Sequence, residues 1–263
     1  MILHMKIKLT LIVVLFTQIL CAQNNNSSNN TTISESNWNS KTLLSELFEG
    51  EKVESLNAIK WKPYNGEFVQ TSFDGYCYTT IDSIYSFKTD ESNYRIVVMK
   101  TISFFDKDMI EPSIADGSTV GIALFKEEDN NWNLLNFNRS ILLNGGAGYL
   151  GKIQIIDLGK NSMLLSLDEI EHQEVDLHQY LISLNPSNFG MIVFSTKLFH
   201  RIVDDNETEY KFEFSEIEIK KAETEEEPTV MKLTKKCTTI KEEIETTTVL
   251  STVLLEFDGY GFY

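Results

Sequence analysis

A glycine-rich stretch near the middle of the chain matches a nucleotide-binding fingerprint letter for letter. Residues 146 to 151 read GAGYLG, which is G-x-G-x-x-G. In a dinucleotide site such a loop follows a strand and opens a helix, whose N-terminus holds the pyrophosphate. Residues 139 to 143 can form the strand, but residues 152 to 157 are rich in Ile and have no helical period. The pattern therefore predicts a glycine-rich connection between two hairpins, without a bound nucleotide.

Two histidines and two acids alternate in one short segment. His172, Glu174, Asp176 and His178 would all point to one face of a β-strand, within reach of a shared cation such as zinc. Their spacing matches no recognised metal motif, and the solvated face of a strand carries the same pattern. We expect the solvated face, with the zinc site as the alternative.

Two further groups of acids lie in predicted loops. After Asp106 and Asp108, the fifth and sixth positions are Ile110 and Glu111, whereas an EF-hand loop needs an oxygen ligand and a glycine there. Solvated turns are expected, and bound calcium is the alternative. The acids concerned are Asp106, Asp108, Glu111 and Asp116 in one loop, and Asp204, Asp205 and Glu207 in the other.

Cysteine, serine and tryptophan supply the remaining candidates. Cys77 and Cys237 form an even pair in a chain that we expect to be exported, so they are predicted to form a disulfide, with two separate buried thiols as the alternative. The chain has no G-x-S-x-G elbow, and neither cysteine has a base nearby in the sequence. Trp132 follows a polar turn, where it could be a ligand platform or, as we expect, cap a β core.

The elements that must position these residues are mainly strands. Residues 40 to 48 predict a helix, which Ser40 can cap and Gly50 can end. From Trp61 onward, short apolar or alternating runs are separated by turn residues. We predict an all-β fold, an antiparallel meander of roughly ten to twelve strands with one short N-terminal helix. A propeller-like array, a sandwich and a barrel stay open. The predicted strands are residues 67–72, 76–84, 94–105, 119–126, 132–137, 152–157, 162–167, 177–184, 191–202, 210–219, 230–240 and 246–257.

The N-terminus predicts export. Residues 1 to 22 have two lysines, then an apolar run, and end in the small residue Ala22, as in a cleaved secretory signal peptide. Lipid anchoring at Cys21 is disfavoured because Leu20 is bulky. Residues 23 to 40 are rich in Asn and Ser and predict a disordered tether, which leaves residues 41 to 263 as a single all-β domain. No later run is long enough for a transmembrane helix.

Charge and the missing motifs define the expected function. Cleavage removes two lysines and no acid, so the net charge changes from −16 to −18, which argues against nucleic acid as a partner. We expect a periplasmic or secreted, acidic binding protein without catalysis, whose partner is an envelope or extracellular protein or a glycan. One alternative is a secreted hydrolase, for instance one that acts on glycans, whose carboxylates are dispersed in sequence. The other is an outer-membrane β-barrel, which the aromatic C-terminus allows.

Overall fold

Two antiparallel β-sheets make up most of the described chain. The computed structural model describes residues 31–64, 67, 69, 74–89, 92–102, 119–143, 149–159, 162–171, 176–203, 208–214, 218–220, 229–241, 243–258 and 262. Thr31–Tyr263 groups as one compact unit. The predicted all-β antiparallel fold with one short N-terminal helix is confirmed.

The first sheet is built from the first half of the chain. Its seven strands follow the order β1-β7-β6-β5-β4-β3-β2. Strands β2 to β7 form a meander, and β1, which precedes them in the chain, pairs with β7. The strands are β1 (Thr32–Ser34), β2 (Gly50–Val53), β3 (Ala58–Trp61), β4 (Cys77–Lys88), β5 (Asn93–Ile102), β6 (Thr119–Glu128) and β7 (Asn131–Leu142). The β6–β7 hairpin turns at Asp129 and Asn130, whose φ values of 52° and 61° are those of a type I′ turn. The predicted hairpin is confirmed.

The helix α1 (Ser40–Leu47) covers one face of the first sheet. Asn39, rather than the predicted Ser40, is its N-cap, because the Asn39 side chain accepts a 3.0 Å hydrogen bond from the amide of Thr42. Leu43, Leu44 and Leu47 are buried against the sheet. An eight-residue helix is marginal alone, so this apolar face is what stabilises it.

The second sheet is built from the second half of the chain. Its order is β13-β14-β12-β11-β10-β9-β8, and β15 pairs with the remaining edge of β14. The strands are β8 (Tyr149–Gly159), β9 (Ser162–Glu171), β10 (Asp176–Ser183), β11 (Ile192–Val203), β12 (Glu209–Phe214), β13 (Glu218–Lys220), β14 (Thr229–Lys241) and β15 (Ile244–Phe257).

One cluster of buried apolar side chains joins the two sheets, and another lies on the opposite face of the second sheet. Ile96 and Ile122 of the first sheet share a buried cluster with Leu167 of the second. On the other face of the second sheet, Leu158 of β8 and Met231 of β14 belong to one buried cluster, although these strands lie near opposite ends of the strand order. The second sheet is therefore curled around its own core.

The structure corrects two boundaries from the sequence. Residues 31 to 40, assigned to the disordered tether, contain β1, a short 3-10 helix (Glu35–Asn37) and the start of α1, because tertiary pairing with β7 orders a polar segment. The described residues form fifteen strands rather than ten to twelve, because the short strands β1 to β3 are added and the predicted strand 210–219 divides into β12 and β13. Most of the predicted strand 67–72 lies outside the described residues. Among the described residues, no helix has the length and apolar character to cross a membrane.

Candidate interaction surface

The glycine motif is followed by a strand. Residues 144 to 148 lie outside the described part of the chain, and Gly151 lies within β8. A dinucleotide loop would need a helix N-terminus at this point to hold the pyrophosphate. The prediction that strand structure follows the motif is confirmed, so the fingerprint lacks the element that gives it its chemistry.

His178 is the one member of the zinc candidate whose side chain the structure describes. His172 and Glu174 lie outside the described residues, and Asp176 is the first residue of β10. The His178 ring stacks on Tyr180, with centroids 6.3 Å apart. No three His, Cys, Asp or Glu side chains of the described residues come together as metal ligands. The zinc site stays a prediction, as does calcium, because residues 106 to 116 and 204 to 207 also lie outside.

A buried carboxylate lies beside His178 at the interface of the two sheets. Glu169 of β9 is fully buried and pairs directly with His178 across the β9–β10 ladder. The Tyr180 hydroxyl donates a 3.0 Å hydrogen bond to Glu169 Oε2. Burial lowers the pKa of Lys100 in β5, and the negative charges of Asp82 and Glu169 partly oppose this shift. The polar cluster of Glu169, Tyr180 and Lys100 can therefore join the two sheets. Because Glu169 has no exposed surface, it does not present its carboxylate to a substrate.

The predicted disulfide is wrong. Cys77 is buried in β4 of the first sheet, where its thiol donates to the Trp61 carbonyl oxygen over 3.6 Å. Cys237 lies in β14 of the second sheet, opposite Phe212 and Thr248. Both thiols are free. A bridge needs Cα atoms within about 7 Å, and the sequence could not show that the two strands belong to different sheets.

Trp132 lies in the buried core of the first sheet, which argues against the alternative of a ligand platform. Its side chain is only 4% exposed, and the Arg95 guanidinium lies 4.0 Å from its ring centroid. Trp38 packs on it at 5.4 Å, and its indole N–H donates to Glu35. Its position is that of a tryptophan that caps the core, as the sequence led us to expect. The partners that cover it come from the segment predicted to be disordered.

The strongest candidate for a binding surface is β15. It pairs with β14 along its length, and its opposite edge has no partner strand in the described part of the chain, apart from one bridge between Phe257 and Phe262. Five of the eleven exposed large apolar residues among those described lie on it, with exposed fractions between 42% and 68%. Such patches mark interaction sites. The five are Ile244, Val249, Leu250, Val253 and Leu254.

The β14–β15 hairpin is held at one end and projects into solvent elsewhere. Leu255 and Phe257 pack against the core of the second sheet, whose buried members include Met231. From Ile244 to Leu254 every residue of β15 is exposed. Because side chains alternate between the two faces of a strand, both faces of this segment as well as one edge meet solvent.

Local chemistry keeps β15 extended without a core beneath it. Thr and Val are frequent between residues 246 and 255, and branching at Cβ restricts χ1 in a way that suits strands. Two threonine pairs link β15 to β14: Thr238 and Thr247 through their hydroxyls at 2.9 Å, and Thr234 and Thr252 at 3.4 Å. Cross-strand pairs of this kind stabilise a hairpin.

A β-bulge divides β15 into two parts. Lys235 pairs with Ser251 and Lys236 pairs with Val249, which leaves Leu250 as an extra residue on β15. A bulge bends an edge strand and interrupts pairing along it. The regular part with the most apolar residues is therefore the segment from Ser251 to Phe257.

The other edge strands are short or charged. β1, β2 and β13 contain three, four and three residues, and β8 carries Lys152 and Asp157. Natural sheets use short edges and charges to prevent pairing with other chains. β15 contains fourteen residues, and residues 246 to 255 carry no charge in a chain whose net charge is −16. The composition of β15 is that of a central strand, which has a partner strand on both of its edges.

Sequence reasoning predicted a strand at residues 246 to 257 but missed its exposure. The signal was present: ten consecutive uncharged residues without alternation, close to the end of a strongly acidic chain. Such a run is typical of a strand buried on both faces.

Comparison with family models, with curated proteins and with solved structures found no match.

Proposed function

We propose that this chain is an exported interaction protein without catalytic activity, which binds a polypeptide segment by strand addition along β15. The observation that supports the proposal is the apolar edge of β15, which is uncharged from residue 246 to 255 and has no partner strand in the described part of the chain. In strand addition, main-chain hydrogen bonds to an exposed edge provide affinity, and alternate side chains provide specificity. A partner strand would satisfy the outward-pointing amides and carbonyls of β15 and cover its exposed apolar side chains.

The expected affinity is moderate. Each cross-strand side-chain pair contributes roughly 0.2 to 1 kcal/mol. A partner paired over about six residues would therefore gain a few kcal/mol from side chains, in addition to its main-chain hydrogen bonds. The ordering of the bound segment offsets part of this gain. Reversible binding follows, which suits an interaction protein.

The charges of the chain support a polypeptide partner and argue against a nucleic acid. The mature chain would carry a net charge of −18, whereas binding to phosphates needs a basic surface. The full burial of Glu169 supports a structural role for the polar cluster between the sheets. The secreted hydrolase stays an alternative prediction.

Site-specific photo-crosslinking tests the proposal. A benzophenone side chain at position 254, where Leu254 is exposed, should give a covalent adduct with a polypeptide in cells that produce the chain. The matched control is position 135, because Leu135 is also an exposed apolar residue but lies in β7 of the first sheet. Adducts of equal yield at both positions, or none at position 254, would contradict strand addition at β15.

A further inference from the structure

We propose that the partner on the β15 edge is a second copy of this chain, bound antiparallel about a two-fold axis so that two curled sheets join through β15. The inference rests on the proposed function, since it names the occupant of the same edge. Cyclic two-fold dimers are the commonest oligomers, and their interfaces use the same surface of both chains. A strand edge can pair with its own copy in this way.

The distribution of charge favours a second copy at this edge. Two chains that each carry −16, or −18 after cleavage, repel one another at most orientations. Residues 246 to 255 form a long uncharged edge, bounded by Glu245 and Glu256. Antiparallel pairing over residues 251 to 255 of this edge places neutral residues against neutral residues, and it leaves Glu256 at the end of the ladder.

The bulge limits the register. Pairing across Leu250 would be interrupted, so the regular segment that begins at Ser251 is the part that can form a continuous ladder. A two-fold axis at Val253 pairs this residue with the partner's Val253 and pairs Thr252 with the partner's Leu254. Glu256 then faces the partner's Leu250, so no acid lies opposite an acid. Like charges directly opposite would oppose pairing.

The arrangement also accounts for the side chains that the monomer leaves in water. Val253 and Leu254 point to opposite faces of the hairpin, because their β14 partners are Leu233 and Lys232. Leu233 is buried and belongs to the core of the second sheet. A strand added beside β15 would therefore extend that core past Val253 and would cover Leu254 on the outer face. One added strand covers both.

The oligomeric state of the purified chain tests the inference. Size-exclusion chromatography with light scattering should give twice the mass of one chain at about 100 µM and a lower mass on dilution. The double variant Val253→Lys with Leu254→Lys should weaken the dimer roughly tenfold or more, because it removes apolar pairs and places like charges together. Both residues are exposed in one chain, so the melting temperature should match that of the original chain at a dilution where both are monomeric.

Charge reversal makes the test specific for self-pairing. The variant Val253→Glu with Leu254→Glu should also be monomeric, and an equimolar mixture of the lysine and glutamate variants should form a heterodimer. The matched control is Leu135→Lys with Leu142→Lys, two similarly exposed apolar residues of β7 in the first sheet. This control should dimerise like the original chain.

Three results would overturn the inference. They are a monomer at about 100 µM, a dimer that the β15 variants leave intact, and a mixture that stays monomeric. If the chain is monomeric but position 254 still crosslinks to a different polypeptide, strand addition stands and the second copy is excluded. If position 254 gives no specific adduct at all, both proposals fail.

Discussion

The guanidinium of Arg95 makes two hydrogen bonds of 3.0 Å to the carboxylate of Glu35. Arg95 lies in β5, whereas Glu35 begins the 3-10 helix that follows β1. Arg95 also stacks on Trp132, at 4.0 Å, and on Trp38, at 4.7 Å. Bidentate pairing and stacking are geometries that arginine provides and lysine does not. This pair therefore fastens the N-terminal segment to the first sheet.

Replacing Glu35 should reduce stability in a pH-dependent way. The hydrogen bonds from Arg95 and then Trp132 lower the pKa of Glu35 below its ordinary value of 4.5. A lowered folded-state pKa stabilises the protein above the unfolded-state pKa, and this contribution is lost as pH falls through the folded-state value. Glu35→Gln should cost up to about 1 kcal/mol at pH 7, because the carboxylate is largely exposed, and less at pH 3.5.

Urea unfolding of both chains at the two pH values checks the prediction. Glu51→Gln, at an exposed acid of β2, is the control and should leave the free energy of unfolding almost unchanged at both pH values. An equal loss of stability at pH 7 and pH 3.5 for Glu35→Gln would show that the ionised carboxylate is not responsible.

Thr79 connects three strands of the first sheet through its hydroxyl. It accepts a 2.7 Å hydrogen bond from the indole N–H of Trp61 and lies 2.7 Å from the hydroxyl of Thr101. Thr79 and Trp61 are almost fully buried. Thr79→Val keeps the shape but leaves buried polar groups unsatisfied, so it should lower the free energy of unfolding by about 1 to 3 kcal/mol. Thr79→Ser retains the hydroxyl and should cost clearly less, and chemical denaturation that ranks the two variants the other way would refute this role.

Tyr180 should stabilise the interface between the sheets through Glu169. Tyr180→Phe removes the donor of the 3.0 Å hydrogen bond to the fully buried carboxylate, and hydrogen bonds to charged groups contribute about 1.5 to 3 kcal/mol. The midpoint of urea unfolding should fall accordingly. Tyr64→Phe, at a half-exposed tyrosine, is the control for loss of a hydroxyl and should leave the midpoint near its original value.

The two thiols should differ in reactivity. Burial raises the pKa of Cys77 to about 12, so its thiolate is scarce at pH 8, whereas Cys237 is half-buried. A chain that begins at Gln23 should therefore react rapidly with a thiol reagent at one cysteine when folded and at two when unfolded in urea without reductant. If unfolding releases no second thiol until reductant is added, the cysteines are bridged after all.

The periodicity of the sequence was sufficient for the strands that pair with their sequence neighbours. β4 to β11 lie close to the predicted runs, because turn residues such as Asp129 and Asn130 fix a hairpin locally. β1 could not be predicted, because its stability comes from pairing with β7, about a hundred residues away. The same long-range pairing converts part of a predicted tether into the cover of Trp132.

The candidate surface was predictable as a strand but not as an edge. The composition of residues 246 to 255 predicts a strand. It does not predict which strands lie beside it, because that depends on the order of strands in the sheet. In the second sheet β12 pairs with one side of β14 and β15 pairs with the other side, so β15 is an edge strand. The disulfide prediction failed for a related reason, since sequence context cannot assign Cys77 and Cys237 to different sheets.

Each sheet draws its described strands from one continuous half of the chain, the first ending at Leu142 and the second beginning at Tyr149. Backbone hydrogen bonding within a sheet therefore closes inside one half, and the halves meet through side chains such as Ile122 and Leu167. A chain divided between these strands, with its two fragments produced together, is expected to reassemble through that apolar layer. The molecule thus offers a natural place for a split reporter whose signal depends on core packing between sheets.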